Sequence, residues 1–157
     1  MSSVVDFAVI GAGIAGASAA YELAQHGSVK VFEMEATAGH HSTGRSAALY
    51  TECDGLPPLR RLAMASRAFL DDPPPGFAAV PILHERGVMF VARQDRSDKL
   101  RDFFDEQRTL VPSITTIDAA DLAEHCSVLR PDRLAGGVLE PEARDIDVHT
   151  LHLSLIH

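Results

Sequence analysis

An α/β fold is predicted, opening on a βαβ unit and running on into a mixed, largely antiparallel sheet. Three observations predict it. Val4 to Ile10 (VVDFAVI) is a short apolar run with β-branched residues, the pattern of a parallel strand buried on both faces. Gly11, Gly13 and Gly16 follow at G-x-G-x-x-G spacing and open a segment of helical periodicity. A second apolar run, Val29, Val31 and Phe32, then ends in an acid, Glu33, about 20 residues on.

Each part of this Rossmann-like unit has a physical reason. The first glycine permits the tight turn, the second lets backbone approach a pyrophosphate, and the third lets helix pack on strand. The helix that follows points its N-terminal amides and positive dipole end at the phosphates. Ala17, Ala20, Tyr21 and Ala24 recur at helical spacing, and Gly27 is a natural stop. Glu33 is placed to accept hydrogen bonds from a ribose hydroxyl and would repel a 2′-phosphate, which argues against NADP. A lone glycine motif is a weak signal, and a plain βαβ unit without a ligand would also carry glycine turns. Here strand, helix and acid are all in place. The unit by itself leaves FAD and NAD open.

The next stretch, through Ala48, is rich in small and hydroxyl residues. It offers backbone amides, Ser42, Thr43, Arg45 and Ser46 as donors to anionic groups. His40 and His41 lie in it without metal-ligand spacing and read as loop residues, so no metal is expected. Leu56 to Asp71 fits one helix with Pro57 and Pro58 at its start and Leu59, Leu62, Ala63, Ala65, Phe69 and Leu70 inward. Pro73 to Pro75 break it. Pro81–His84 and Gly87–Ala92 read as an antiparallel hairpin turning at Glu85-Arg86, with His84 structural. Arg96 to Leu110 is an amphipathic helix with Leu100, Phe103, Phe104 and Leu110 inward. Ile114–Ile117 is a short strand, with Asp118 capping the helix after it. Leu134–Leu139 is a strand, residues 140–145 a loop, and Asp147 the N-cap of a last helix.

Composition narrows the function classes. With 157 residues, 46% apolar and 23% charged, the chain can bury a core. A net charge of −8 supplies no basic patch for nucleic acid or an anionic membrane. No segment reaches the roughly 18 apolar residues of a membrane span, and the N-terminus lacks a signal peptide's charged start. Cys53 and Cys126 are isolated and read as reduced thiols of a cytoplasmic protein.

The pairing of VIGAGIAGASAAYELAQHG and VFEMEATAGHHSTGRSAALYTE with the later DIDVHTL resembles the D-amino-acid oxidase and dehydrogenase (DAO) superfamily of FAD enzymes. The chain is most similar to its D-arginine dehydrogenase-type and glycine-oxidase-like members, from about Val4 to His152. The resemblance implies a truncated two-domain flavoenzyme. Residues 1–55 would be the N-terminal part of the FAD-binding domain and 56–78 a helical segment of it. Residues 79–143 would be part of the substrate domain, and 144–157 the return toward the FAD domain. Gly11, Gly13, Ile14, Ala15 and Gly16 would wrap the pyrophosphate, and Glu33, with Met34 beside it, would hold the adenosine ribose. Ser42, Thr43, Arg45, Ser46, Ala47 and Ala48 would run along the flavin's phosphate and ring.

The implied activity is oxidation of the C–N bond of a D-amino acid or related amine by hydride transfer to flavin N5. No residue here is identified as catalytic. At Leu49, at Asp54 and near Val88 the chain departs from the D-arginine dehydrogenase pattern, which argues against a preference for D-arginine but not against amine oxidation. The chain reads as an N-terminal fragment, poorly soluble and inactive by itself, with LSLIH atypical of the family. Rival readings are a non-catalytic remnant with weak dinucleotide binding and an NAD-dependent dehydrogenase. Flavin colour separates them.

Overall fold

The alternating and helical patterns resolve into short strands and helices in the computed structural model, which describes residues 4–157. In chain order these are β1 (Phe7–Ile10), α1 (Ile14–Leu23), β2 (Val29–Phe32), β3 (Leu49–Tyr50), α2 (Pro57–Asp71), β4 (Leu83–Glu85), β5 (Val88–Arg93), α3 (Ser97–Gln107), β6 (Thr115–Asp118), α4 (Leu122–His125), β7 (Leu134–Glu140), β8 (Arg144–Ile146) and α5 (Val148–Ile156). The chain divides into two compact units. One takes residues up to Ala48, Ala68–His84 and Ile146–His157; the other takes Leu49–Arg67 and Glu85–Asp145.

In the first unit β1 and β2 pair in parallel, Phe7 opposite Val29 through Ile10 opposite Phe32, with α1 as the crossover. The ladder continues past Ile10, where the Gly11 N–H donates to the Phe32 carbonyl at 2.7 Å. At the other end Asp6 accepts from both the N–H (2.8 Å) and the hydroxyl (2.7 Å) of Ser28, which ties the entry of β1 to that of β2. These hydrogen bonds hold the Asp6 carboxyl below its ordinary pKa. α1 ends at Leu23 rather than at Gly27. Gly27 serves the strand entry instead, since a Cβ there would stand 2.9 Å from the Asp6 carboxylate.

Tyr21, Phe77 and Phe69 stack edge to face at 5.3 and 4.9 Å, joining α1, the loop after α2 and the end of α2. α5 packs on α1. Asp147 caps it as the sequence predicts, accepting from the Thr150 N–H and hydroxyl, both at 2.8 Å. The Asp147 N–H donates to the buried Ile82 carbonyl at 2.8 Å, so the start of α5 is fixed to the chain before β4.

In the second unit β7 is the central strand of an antiparallel sheet, order β5-β7-β6. Leu100, Phe103 and Phe104 of α3, with Phe90 of β5, pack on a core of Cys53, Val111, Ile114 and Val138. Gly136 sits at φ +143° where a Cβ would be 2.7 Å from the Ile117 carbonyl oxygen, so β6 and β7 approach only because it is glycine. The register shifts opposite it, between Ala92 and Arg93.

Several expectations fail here, each for a physical reason. β4 and β5 belong to different sheets, β4 to the sheet ordered β3-β8-β4, so they form no hairpin. Residues 144–146 are strand, not loop, because Leu49 and Tyr50 supply the partner backbone. Asp118 ends β6, and the N-cap position of α4 falls to Asp121 instead. Leu59 and Leu62 are 57% and 63% exposed while Arg60 is 3% exposed, so α2 buries a charged residue where leucines were expected. Gln107, not Leu110, is buried at the end of α3.

Asp147→Ala should lower the unfolding free energy by about 1 kcal/mol, read by denaturant titration. Its carboxyl is held below the ordinary 3.8, chiefly by the Thr150 N–H and then by its hydroxyl. That contribution is present above the ordinary value and lost as pH falls through the lowered one, so wild type and variant should converge in acid. Equal stability at neutral pH would refute the cap's role.

Candidate functional site

The site is built from the glycine turn of the first unit. Gly11 has φ +93°, a region that favours glycine. A Cβ on Gly16 would stand 1.9 Å from the Gly11 carbonyl oxygen, so the third glycine is what lets α1 close onto the end of β1. Gly13 occupies the N-cap of α1 without a side-chain cap. The first intrahelical bond is Ala17 N–H to the Gly13 carbonyl at 2.9 Å. The N–H groups of Gly13, Ile14, Ala15 and Gly16 therefore have no intrahelical acceptor.

Thr43 meets this turn from the second loop. It is buried in a 3₁₀ turn, Thr43–Arg45, and its Oγ1 accepts from the Ile14 N–H at 3.0 Å. A Cβ on Gly13 would stand 3.2 Å from the same Oγ1, so the threonine occupies the space beside the second glycine. Ser42, Thr43, Ser46 and Ala48 line a cavity of ≈ 290 Å³ together with Ile14 and Leu151. Arg45 and Ala47 are exposed, and Arg45 Nε reaches the His40 carbonyl at 3.5 Å. A larger cavity of ≈ 770 Å³ is lined by Ala17, Ala20, Tyr21, Val29, Val31 and Leu155 among others.

Glu33, at the end of β2, holds the turn from the other side. Its Oε2 accepts from the Ala12 N–H at 2.6 Å and its Oε1 from the Glu35 N–H at 3.0 Å. The Glu35 N–H first, then that of Ala12, holds the carboxyl below its ordinary pKa, so it is ionised at neutral pH. A carboxylate has about four acceptor sites, so both oxygens keep capacity for a ribose. Met34 beside it is 87% exposed. His41 lies 2.9 Å from Glu35 rather than facing the turn. Among the described residues no cluster of His, Cys, Asp and Glu could hold a metal.

One residue of this constellation escaped the sequence reading. His152, buried on α5, places Nε2 2.7 Å from the Ala12 carbonyl oxygen. The available signal was its place directly after DIDVHTL, five residues past the Asp147 cap.

A parallel βαβ unit with this turn and acid defines a dinucleotide-binding protein. The comparisons give the family: residues 6–157 match the model of the FAD dependent oxidoreductases (DAO), and the chain belongs to that family. Its cofactor is FAD, which sets the NAD alternative aside. The structure is similar to glycine oxidase from Geobacillus kaustophilus (TM-score 0.81, 24% identity, 96% of this chain and 43% of that one). It is similar also to L-proline dehydrogenase from P. horikoshii (TM-score 0.79, 20% identity, 99% and 41%). A third likeness is to dithionite-reduced L-α-glycerophosphate oxidase from Mycoplasma pneumoniae with FAD bound (TM-score 0.81, 13% identity, 98% and 41%). The chain thus spans less than half the length of these structures. Among the described residues no helix is long and apolar enough to cross a membrane.

The residues present fit a dinucleotide: the turn leaves amides free, and a side chain at Gly13 would crowd Thr43. Gly16→Ala must displace the Gly11 carbonyl, and overpacking of this kind typically costs about 1–3 kcal/mol. Denaturant titration should show that loss. An unchanged midpoint would mean that the close approach does not hold the turn.

Proposed function

We propose that the chain forms the FAD-binding part of an oxidoreductase that oxidises the C–N bond of a D-amino acid or related amine. The observation that carries this reading is the glycine turn: free first-turn amides of α1 beside Thr43, with Glu33 on the opposite side. The substrate class is supported by the likeness of GRSAALYTE and DIDVHTL to D-amino-acid-oxidising flavoenzymes. Neighbours named for glycine, L-proline and L-amino acids support the coarser class, an amino acid or amine.

In this reading Gly11, Gly13, Ile14, Ala15 and Gly16 wrap the pyrophosphate, and Glu33 takes the adenosine ribose with Met34 at its side. Ser42, Thr43, Arg45, Ser46, Ala47 and Ala48 follow the phosphate and ring. Bound FAD would supply the hydride acceptor for oxidation of the substrate's C–N bond. The chain's own share is to bind and orient the cofactor and to keep water from it. Residues 79–143 contribute to the substrate domain, with domain limits 1–55, 56–78, 79–143 and 144–157. Leu49 and Val88 offer no charge partner for a cationic side chain, which favours an uncharged amino acid or amine.

Flavin fluorescence titration tests the site. Gly13→Val should abolish measurable FAD binding, because the added methyls crowd Thr43 and take the space the phosphates need. Glu33→Ala should weaken it more gently. Equal FAD affinity in wild type and Gly13→Val would sink the assignment.

The activity has a separate test. We infer that the 157 residues bind FAD weakly and turn over no amine alone, since the related enzymes are more than twice as long. A screen of uncharged D-amino acids by dye reduction should be blank for this chain. It should be positive for a protein that carries the family's full length. Substrate-dependent dye reduction by the 157-residue chain would overturn that inference.

A further inference from the structure

We propose that His152 is a positioning residue that locks the Ala12–Gly13 peptide so that an N–H, not a carbonyl oxygen, faces the cofactor's phosphates. The orientation of that peptide is a property of the chain alone; its use by phosphates rests on the FAD reading above.

The Ala12 oxygen can only accept, so His152 Nε2, 2.7 Å away, carries the proton and donates. No peptide bond among the described residues is cis. In a planar trans peptide the carbonyl and the following N–H point in opposite directions. Holding the Ala12 carbonyl toward α5 therefore turns the Gly13 N–H to the opposite side. Among the described residues that N–H has no protein acceptor.

The neighbouring peptide is already fixed at both ends. The Ala12 N–H is held by Glu33, and the Gly11 carbonyl lies against Gly16. What remains soft is the plane between Ala12 and Gly13, and a glycine on its far side gives it freedom to flip. A flipped plane would aim the negative end of a carbonyl dipole at an anion. The imidazole removes that state, because breaking its hydrogen bond leaves a buried donor unsatisfied.

The ring cannot swing away. His152 is 5% exposed, and a Cβ on Gly39 would stand 2.9 Å from its Cε1. Gly39 (φ +73°) is in turn held by the Gly44 N–H on its carbonyl at 2.7 Å. One imidazole thus rests against the second loop while it holds the first.

Two variants separate a lock from mere packing. His152→Leu removes the donor and keeps apolar bulk, whereas His152→Gln keeps an N–H at the reach of Nε2. In the 157-residue chain without flavin, the Gly13 amide should give one NMR resonance in wild type and His152→Gln. It should be doubled or broadened in His152→Leu. On titration with FAD, His152→Leu should bind about tenfold more weakly or worse and His152→Gln within about threefold of wild type, the span of one hydrogen bond to an orienting group. A single unshifted Gly13 signal in His152→Leu, or equal FAD loss in both variants, overturns the proposal. If His152→Leu fails to fold, the imidazole ¹⁵N spectrum of wild type decides: a protonated Nε2 upholds the lock and an Nδ1–H tautomer refutes it. Should wild type bind no FAD while the Gly13 contrast stands, the flavin reading fails and the lock is upheld.

Discussion

The approach of Gly16 to the Gly11 carbonyl sets the geometry on which the first unit depends. With no side chain at Gly16, α1 can start against the end of β1, and its unpaired amides gather at one point. Three side chains then attach to that point from far along the chain. Glu33 reaches Ala12 across 21 residues, Thr43 reaches Ile14 across 29, and His152 reaches Ala12 across 140. Each satisfies one backbone group of the turn and leaves others open. A turn with all its polar groups paired would have nothing to offer an anion; one with none paired would not hold its shape.

The second unit solves a different problem, that of burying polar groups in a small core. Glu140 is 1% exposed at the end of β7. Its oxygens accept from the Thr51 hydroxyl at 2.6 Å and the Glu52 N–H at 2.7 Å, which fixes the chain leaving β3. The same burial, with Glu140 beside it, pushes the Cys53 thiol up to about 12, so it stays protonated and inert at neutral pH. Arg60 is buried too, held by the Gln107 side chain and by Glu106 at 2.7 Å, while its Nε has no partner among the described residues. Removing one partner from such a group costs more than the pair contributes, because a desolvated charge is left behind. These contacts specify position more than they add stability.

What was legible in the sequence is what is local. The glycine spacing, the βαβ order and the Asp147 cap depend on residues within one or two turns of each other, and the structure has them where the pattern put them. The family followed because its motifs lie in that same local stretch. What failed was pairing and facing. Pro81–His84 and Gly87–Ala92 look like a hairpin because a two-residue turn separates two apolar runs. Yet β5 finds its ladder with β7, some 50 residues away, and periodicity cannot see that choice. Likewise the leucines of α2 promised an inward face, and Arg60 took it because Gln107 and Glu106 stood opposite. His152 was missed for the same reason: a histidine in a helix announces nothing until the carbonyl it serves is known.

The burial of β1 and β2 carries this one step further. Their apolar runs have the composition of strands covered on both faces. Among the described residues α1 lies on one face, yet Ile10 is 90% exposed and Phe32 49%. Apolar residues at those positions contribute their full transfer energy only when a second layer covers them. The chain spans less than half the length of the structures it resembles. The glycine turn, by contrast, is held among the described residues by groups that lie between Gly11 and His152.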